Sequence, residues 1–369
     1  MKDLIYFDNN ATTRLDPRVM EAMVAELSLP ESNPSSSHFF GQRAKARLLQ
    51  CRETIASYCG VKPHEILFTS GGTEAMNLLI RGSAPGHVIT SNVEHSCIYE
   101  TLKNSPHEID FLPAGLWGAV SAEHIRACIR PTTRFILLSA VNSETGVKLD
   151  IEAIAQVALE FQVPFFVDGV ALLGKEELVV PAGVAAMGFS GHKCHGPKGI
   201  GFLFLRAGTP LQPLITGGGQ EARLRAGTEN LPGIVGLAKS IELLRSELPS
   251  ATLRMAALRD ALEQGLRAME IRFHVNGHGP RVCNTTNLSF PGVHGEDLLL
   301  TLDMAGLALS HGSACSSGAM EPSRVLTQMG LPFEEAKSSV RISLSRYTTA
   351  DEIKKAIDLI AFSVRNLSN

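Results

Sequence analysis

The sequence has no Cys-x-x-Cys pair and a single tryptophan, and it is only 6% aromatic. No apolar run approaches the ~20 residues of a membrane span, so no membrane-spanning helix is expected. Seven cysteines, at 51, 59, 97, 128, 194, 283 and 315, are odd in number and irregular in spacing. That argues against a disulfide framework and a structural zinc, and for a reduced, cytoplasmic setting with no metal. Neither sign of charge dominates: 34 Lys+Arg against 37 Asp+Glu leaves a formal net charge of −3. Such a balance gives no basis for a nucleic-acid groove or a membrane-surface patch. The N-terminal Met1-Lys2-Asp3-Leu4-Ile5-Tyr6-Phe7-Asp8 lacks an apolar core and a small-residue cleavage site, so no signal peptide is expected. What is present is 369 residues, 44% hydrophobic and 19% charged. That is enough for about two domains at roughly 150 residues each.

Short apolar runs at 66–69, 88–90, 135–140, 163–168, 185–190 and 200–204 read as buried strands. Helical patterns separate several of them, one marked by Ala44, Leu48, Cys51 and Ile55 at i, i+4, i+7 and i+11. Strand–helix alternation with continuously apolar strands predicts an α/β fold with a mostly parallel sheet covered on both faces. Sheets of that kind bind ligands outside the carboxyl ends of their strands. After about residue 249 the pattern changes. A charged helix over 251–269, sparse strands at 271–275, 287–290 and 340–344, and a last helix with a Thr349/Glu352 capping box predict a smaller α+β domain. Ile353, Ile357, Ile360 and Val364 form that last helix's apolar stripe.

Five segments carry chemistry. In Phe68-Thr69-Ser70-Gly71-Gly72-Thr73-Glu74 a strand gives way to a helix through two glycines. Free amides beside a hydroxyl make a phosphate cradle, although an ordinary strand-to-helix turn fits the same residues. Asp168 closes an apolar run, where a carboxylate is costly unless a cation meets it. In Phe189-Ser190-Gly191-His192-Lys193 a lysine follows a buried strand directly. A desolvated lysine of lowered basicity suits Schiff-base chemistry, against the prior that most lysines are solvated. Gly312-Ser313-Ala314-Cys315-Ser316-Ser317-Gly318 sets one thiol among small residues, accessible and able to reach a substrate; the other six cysteines read as buried and inert. Arg341, in the alternating Val340-Arg341-Ile342-Ser343-Leu344, suits a clamp for a substrate carboxylate, or a surface ion pair.

Together these segments resemble the cysteine desulfurases, fold-type I enzymes dependent on pyridoxal phosphate. Further landmarks of the resemblance are Tyr6-Phe7-Asp8-Asn9-Asn10-Ala11-Thr12-Thr13, Asn33-Pro34-Ser35-Ser36-Ser37-His38, Glu94-His95, Gly217-Gly218-Gly219-Gln220-Glu221 and Arg225-Ala226-Gly227-Thr228-Glu229-Asn230. The segment from 312 to Glu321-Pro322 resembles the family's long-loop group. The resemblance implies a large cofactor-binding domain over 14–248 with a seven-stranded, mostly parallel sheet. A smaller domain of 1–13 and 249–369 would carry the cysteine loop. It implies that Lys193 binds pyridoxal phosphate as a Schiff base, that Asp168 pairs with the pyridinium nitrogen, and that His95 stacks on the ring. Gly72, Thr73, Ser190 and His192 would hold the phosphate, joined by Thr228 from the partner of a homodimer, and Asn142 would also lie at the cofactor. Asn142 and Arg341 would bind the carboxylate of L-cysteine. Cys315 would take the sulfur as a persulfide, leaving L-alanine, for iron–sulfur cluster assembly or tRNA thiolation through an acceptor or scaffold protein.

The chain departs from the family pattern at several places. Ala171 stands where a glutamine usually donates to the cofactor's phenolic oxygen; Ser143, Leu149, Ala222 and Ser345 replace an asparagine, a glutamine, an arginine and a glycine. Losing one hydrogen bond to the phenolate is worth on the order of 1 kcal/mol, and the Schiff-base proton is expected to be held more tightly in consequence. A selenocysteine lyase or other β-eliminating enzyme is the alternative reaction. A degenerate, non-catalytic partner subunit is the alternative without one.

Overall fold

A computed structural model describes residues 4–311 and 321–368. The strands are β1 Ile5–Tyr6, β2 Ile66–Thr69, β3 His87–Ser91, β4 Glu108–Leu112, β5 Thr133–Ser139, β6 Phe165–Asp168 and β7 Val184–Ser190. They continue as β8 Gly201–Leu205, β9 His274–Val275, β10 Thr285–Ser289, β11 Leu307–Ala308 and β12 Ser339–Ser343. The large sheet has seven strands in the order β2-β8-β7-β6-β5-β3-β4. Only β8 runs against its neighbours, pairing antiparallel with both β2 and β7. Every residue of β2, β3 and β6 is buried, as the uninterrupted apolar runs require of a sheet covered on both faces. Strand β4 escaped the sequence pattern because it is an edge strand of sequence EIDFL, its first residue exposed. Its two acids are held from outside by Arg130, which pairs with Glu108 at 2.5 Å and Asp110 at 2.7 Å.

Four helices of the first part are α1 Pro17–Leu27, α2 Phe39–Cys59, α3 Gly72–Gly82 and α4 Ser96–Lys103. Helix α2 turns Ala44, Leu48, Cys51 and Ile55 inward, on the stripe its spacing predicts. The C-terminal part joins a three-stranded antiparallel sheet, β12-β10-β9, to the parallel pair β1-β11. Its core collects Leu288, Phe290, Val340 and Ile342 with Ile5 and Phe7 from the start of the chain. The last helix, Ala350–Leu367, opens with the expected capping box. The helix expected over 251–269 is the second half of a longer one, Leu231–Ala268, 38 residues with Pro249 inside it. A proline forfeits a single helical hydrogen bond, which the apolar packing on either side outweighs: Leu237, Ile241 and Leu244 lie in the larger core, Leu262 and Leu266 in the smaller.

Candidate active site

The parallel strands end on one edge of the sheet, and their last residues line a cavity of about 230 Å³. Ser139 closes β5, Asp168 closes β6 and Ser190 closes β7. One tight turn later, in the 3-10 helix Gly191–Lys193, comes Lys193. Asp168 is buried, and its Oδ1 accepts from the Val170 amide at 2.9 Å. Burial pushes its carboxyl up, against the opposing pull of His95, that amide and Lys193. Lys193 Nζ donates to the main-chain carbonyls of Asn10 and, at 2.8 Å, Ala11. Burial, followed by the charges of Arg341 and Lys175, pulls its amine down to about 8, so its neutral, nucleophilic form is far more populated near neutral pH than that of an ordinary lysine.

His95 is the N-cap of α4, where its Nδ1 accepts from the Cys97 amide at 3.1 Å. With Nδ1 committed as an acceptor, the neutral ring carries its proton on Nε2. Burial pulls its basicity down, so neutral is the favoured state. Beneath it Glu94 accepts from the Ser91 hydroxyl at 2.6 Å and from the Ser139 amide at 2.8 Å. Burial, with the charge of nearby Asp168, pushes this carboxyl up to about 7.

At one end of the cavity, α3 begins at Gly72 with no side chain capping it, and its first-turn amides face a second, adjoining hollow lined by Thr73, Ser190 and His192. Gly72 admits no side chain, since a Cβ there would lie 2.4 Å from Val170 Cγ2. His192 is pulled down to about 4 by burial and then by Lys193, which keeps it a neutral donor. The nearest acid, Glu74, is already held by the Ser70 amide at 2.8 Å and Arg225 at 3.0 Å. Uncapped amides, a buried carboxylate and an amine of lowered basicity on one wall match a group with a phosphate, a protonated ring nitrogen and an aldehyde. The residues present therefore fit pyridoxal phosphate.

At the other end Arg341, in β12, reaches across from the C-terminal part. It is buried, not the surface pair that was its alternative reading. Nη2 donates to Asp8 at 2.6 Å and Nη1 to the Ser143 carbonyl at 3.2 Å, while Nε is buried without a partner among the described residues. Asn142 shapes the adjoining turn: its Oδ1 accepts from the amides of Glu144 and Thr145, both at 3.0 Å, and its Nδ2 donates to Val93 at 3.1 Å. Among the described residues its second Nδ2 proton meets no acceptor and is left for a ligand.

The cavity thus brings together Gly72, Thr73, His95, Asn142, Asp168, Ser190, His192, Lys193 and Arg341. Thr228 is exposed and does not line it. Cys315 lies outside the described residues. The expectation that the other six cysteines are buried holds for Cys51, Cys59, Cys194 and Cys283 but not for Cys97 and Cys128, which are half-buried. Cys97 lines the cavity itself, with its thiol pushed well up by burial. Sequence reasoning also missed Asp8 as the partner of Arg341, the Glu144–Ser323 hydrogen bond, Arg324, and Lys175. The last of these lines the cavity from the end of an apolar turn that carries no periodic cue.

The chain is similar to known proteins over nearly its whole length. The family model of class-V aminotransferases matches residues 5–356. Cysteine desulfurase 2 of Trichormus variabilis is 40% identical over 99% of this chain and 94% of its own length. A solved NifS-like protein, 33% identical, superposes with a TM-score of 0.91 over 99% of this chain and all of its own. A structure of SspA in complex with cysteine, 35% identical, has a TM-score of 0.82 over 94% of this chain and all of its own.

Proposed function

The chain belongs to the class-V aminotransferase family, and from that premise we propose that it is a pyridoxal-phosphate-dependent cysteine desulfurase, moving the sulfur of L-cysteine to Cys315 and releasing L-alanine. The observation that carries the reading is the placement of Lys193, Asp168 and the open N-terminus of α3 on one cavity, with Arg341 across it. The balance is simple: the Cys315 thiol and cysteine give alanine and a persulfide, Cys315–S–SH, with no external oxidant or reductant. Bound pyridoxal phosphate supplies an electron sink at the amino-acid carbon.

Each residue's task follows from its surroundings. The first-turn amides of Gly72 and Thr73, with Ser190 and His192, hold a dianion. Asp168 is the acceptor for a proton on the ring nitrogen, and a cation there relieves the cost of its burial. Arg341 has an Nε–H, unpartnered among the described residues, to offer a substrate carboxylate, with Asn142 beside it. Lys193 Nζ, poised at about 8, can take and return a proton at the substrate carbon near neutral pH. His95 can donate from Nε2. Thr228, exposed outside its own chain's cavity, requires a second copy if it is to touch a phosphate, which is the reason to expect a homodimer. No described helix is long and apolar enough to cross a membrane, in keeping with a cytoplasmic enzyme that hands sulfur to an acceptor protein for iron–sulfur cluster assembly or tRNA thiolation.

The test is to load the protein with pyridoxal phosphate, add cysteine, measure alanine, and map sulfane sulfur by mass spectrometry. One extra sulfur on residue 315, and its disappearance in Cys315→Ser together with alanine formation, are expected. Alanine formed without sulfur on that residue overturns the reading, and selenide release from selenocysteine that survives Cys315→Ser favours a lyase.

A further inference from the structure

Lys175 is a buried amine with no task in the reading above. It is 5% exposed, yet it lines the cavity that holds Lys193 and Asp168. Its Nζ donates to the main-chain carbonyl of Lys193 at 2.8 Å. The titratable and charged groups facing it are the thiols of Cys194 and Cys283, Arg346, Lys193 and the imidazoles of His192 and His195. All of these are neutral or cationic near neutral pH, and none of them is a carboxylate. An ammonium buried in such company is costly, and burial pulls its basicity down. Among the described residues the Lys193 carbonyl is the one acceptor its Nζ meets, which leaves two of its three protons for a ligand.

A group that brings an anion to this wall would offset that cost, and the proposed ligands carry three. The phosphate belongs at the N-terminus of α3, in the adjoining hollow that Lys175 does not line. The substrate carboxylate belongs to Arg341 and Asn142. The oxygen on the pyridine ring is left. Ala171, four residues earlier on the same wall, ends in a methyl group that can donate nothing to it.

We propose that Lys175 donates a charged hydrogen bond to the phenolate oxygen of the cofactor, the role that the alanine at 171 cannot fill. The inference rests on the reading of the cavity as a pyridoxal phosphate site. A cation beside a phenolate lowers the proton affinity of that edge of the ring. The cofactor's chromophore therefore loses its proton at a lower pH than the alanine at 171 alone would dictate, which reverses the expectation of a tightly held proton. Lys175 is a positioning residue for Lys193, through its hydrogen bond to that residue's carbonyl, and a direct partner of the cofactor.

The experiment titrates the visible absorbance of the loaded protein against pH and measures pyridoxal phosphate affinity by equilibrium dialysis. Lys175→Met is expected to raise the absorbance midpoint by about one to two pH units and to weaken affinity about tenfold. Lys175→Arg is expected to keep the parent midpoint. Ala171→Gln is expected to bring the midpoint back down in the Lys175→Met background and to leave it unchanged in the parent. A folded Lys175→Met that titrates like the parent overturns the inference and leaves the proposed function standing. If Lys175→Met does not fold, a shift of the parent midpoint by Ala171→Gln overturns it, and an unshifted midpoint supports it. A parent that takes up no pyridoxal phosphate bleachable by borohydride sinks the functional reading itself.

Discussion

The two ends of the cavity are built differently. The phosphate and ring end comes from strand ends and the turns that follow them: β2 into α3, β6 into Asp168 and β7 into Lys193. Each functional group there sits within a few residues of the element that aims it. The substrate end is assembled from partners far apart in the chain. Arg341 and Asp8 are 333 residues apart, and Ser323 and Glu144 are 179 apart. Local construction lets the first end change without unfolding the protein. At the second end, the contacts that would recognise substrate also hold the N-terminal segment and β12 together.

Substitutions at each end probe that contrast. Lys193→Ala, at the local end, removes a half-buried amine that forms no ion pair to a carboxylate among the described residues. Turnover is expected to fall on the order of 10⁴-fold with urea stability unchanged or raised, and a large stability loss would erase the contrast. Arg341→Ala, at the far end, is expected to cost about 3–5 kcal/mol of stability as well as cysteine binding, because it strips a buried pair of one partner. Asp8→Asn added to it should recover part of that loss in denaturant titrations. Gly72→Ala drives a methyl group against Val170 and should cost about 1–3 kcal/mol by overpacking. Cofactor affinity is expected to drop with it, and Val170→Ala should restore both.

Glu94 lies between the ends, and its effect shows only as a dependence of stability on pH. Its folded carboxyl is raised from 4.5 to about 7, so the folded state holds the extra proton between those values. Its contribution to stability is therefore complete below about pH 4.5 and is lost as pH rises through about 7. Glu94→Gln should flatten the decline by at most about 1.4 kcal/mol per pH unit. Unfolding measured at a series of pH values, parent against variant, reads this directly, and parallel curves would show that Glu94 is not protonated there.

The same contrast explains what could be read from the sequence. Lys193, Asp168 and Gly72 were legible because an apolar run followed by a polar residue at a turn is a local signal, and β2, β6 and β7 lie close to where those runs predict. Asp8 gave no sign of its role: one carboxylate near the N-terminus says nothing about an arginine in β12. Lys175 was hidden among Val170, Leu172 and Leu173, where only tertiary packing decides that an amine is enclosed. Strand β4 was missed because its acids alternate with apolar residues at an edge, and the charged helix after 250 was read too short because Pro249 looks like a boundary.

That proline has a mechanical consequence. The helix it interrupts is roughly 57 Å long at 1.5 Å per residue, rooted by Leu237, Ile241 and Leu244 in one core and by Leu262 and Leu266 in the other. Its weakest rung, lacking one amide, falls between the two anchorages. The 19 residues beyond form a boom of roughly 28 Å, so a flexure of about 5° at Pro249 would swing its tip by about 2.5 Å.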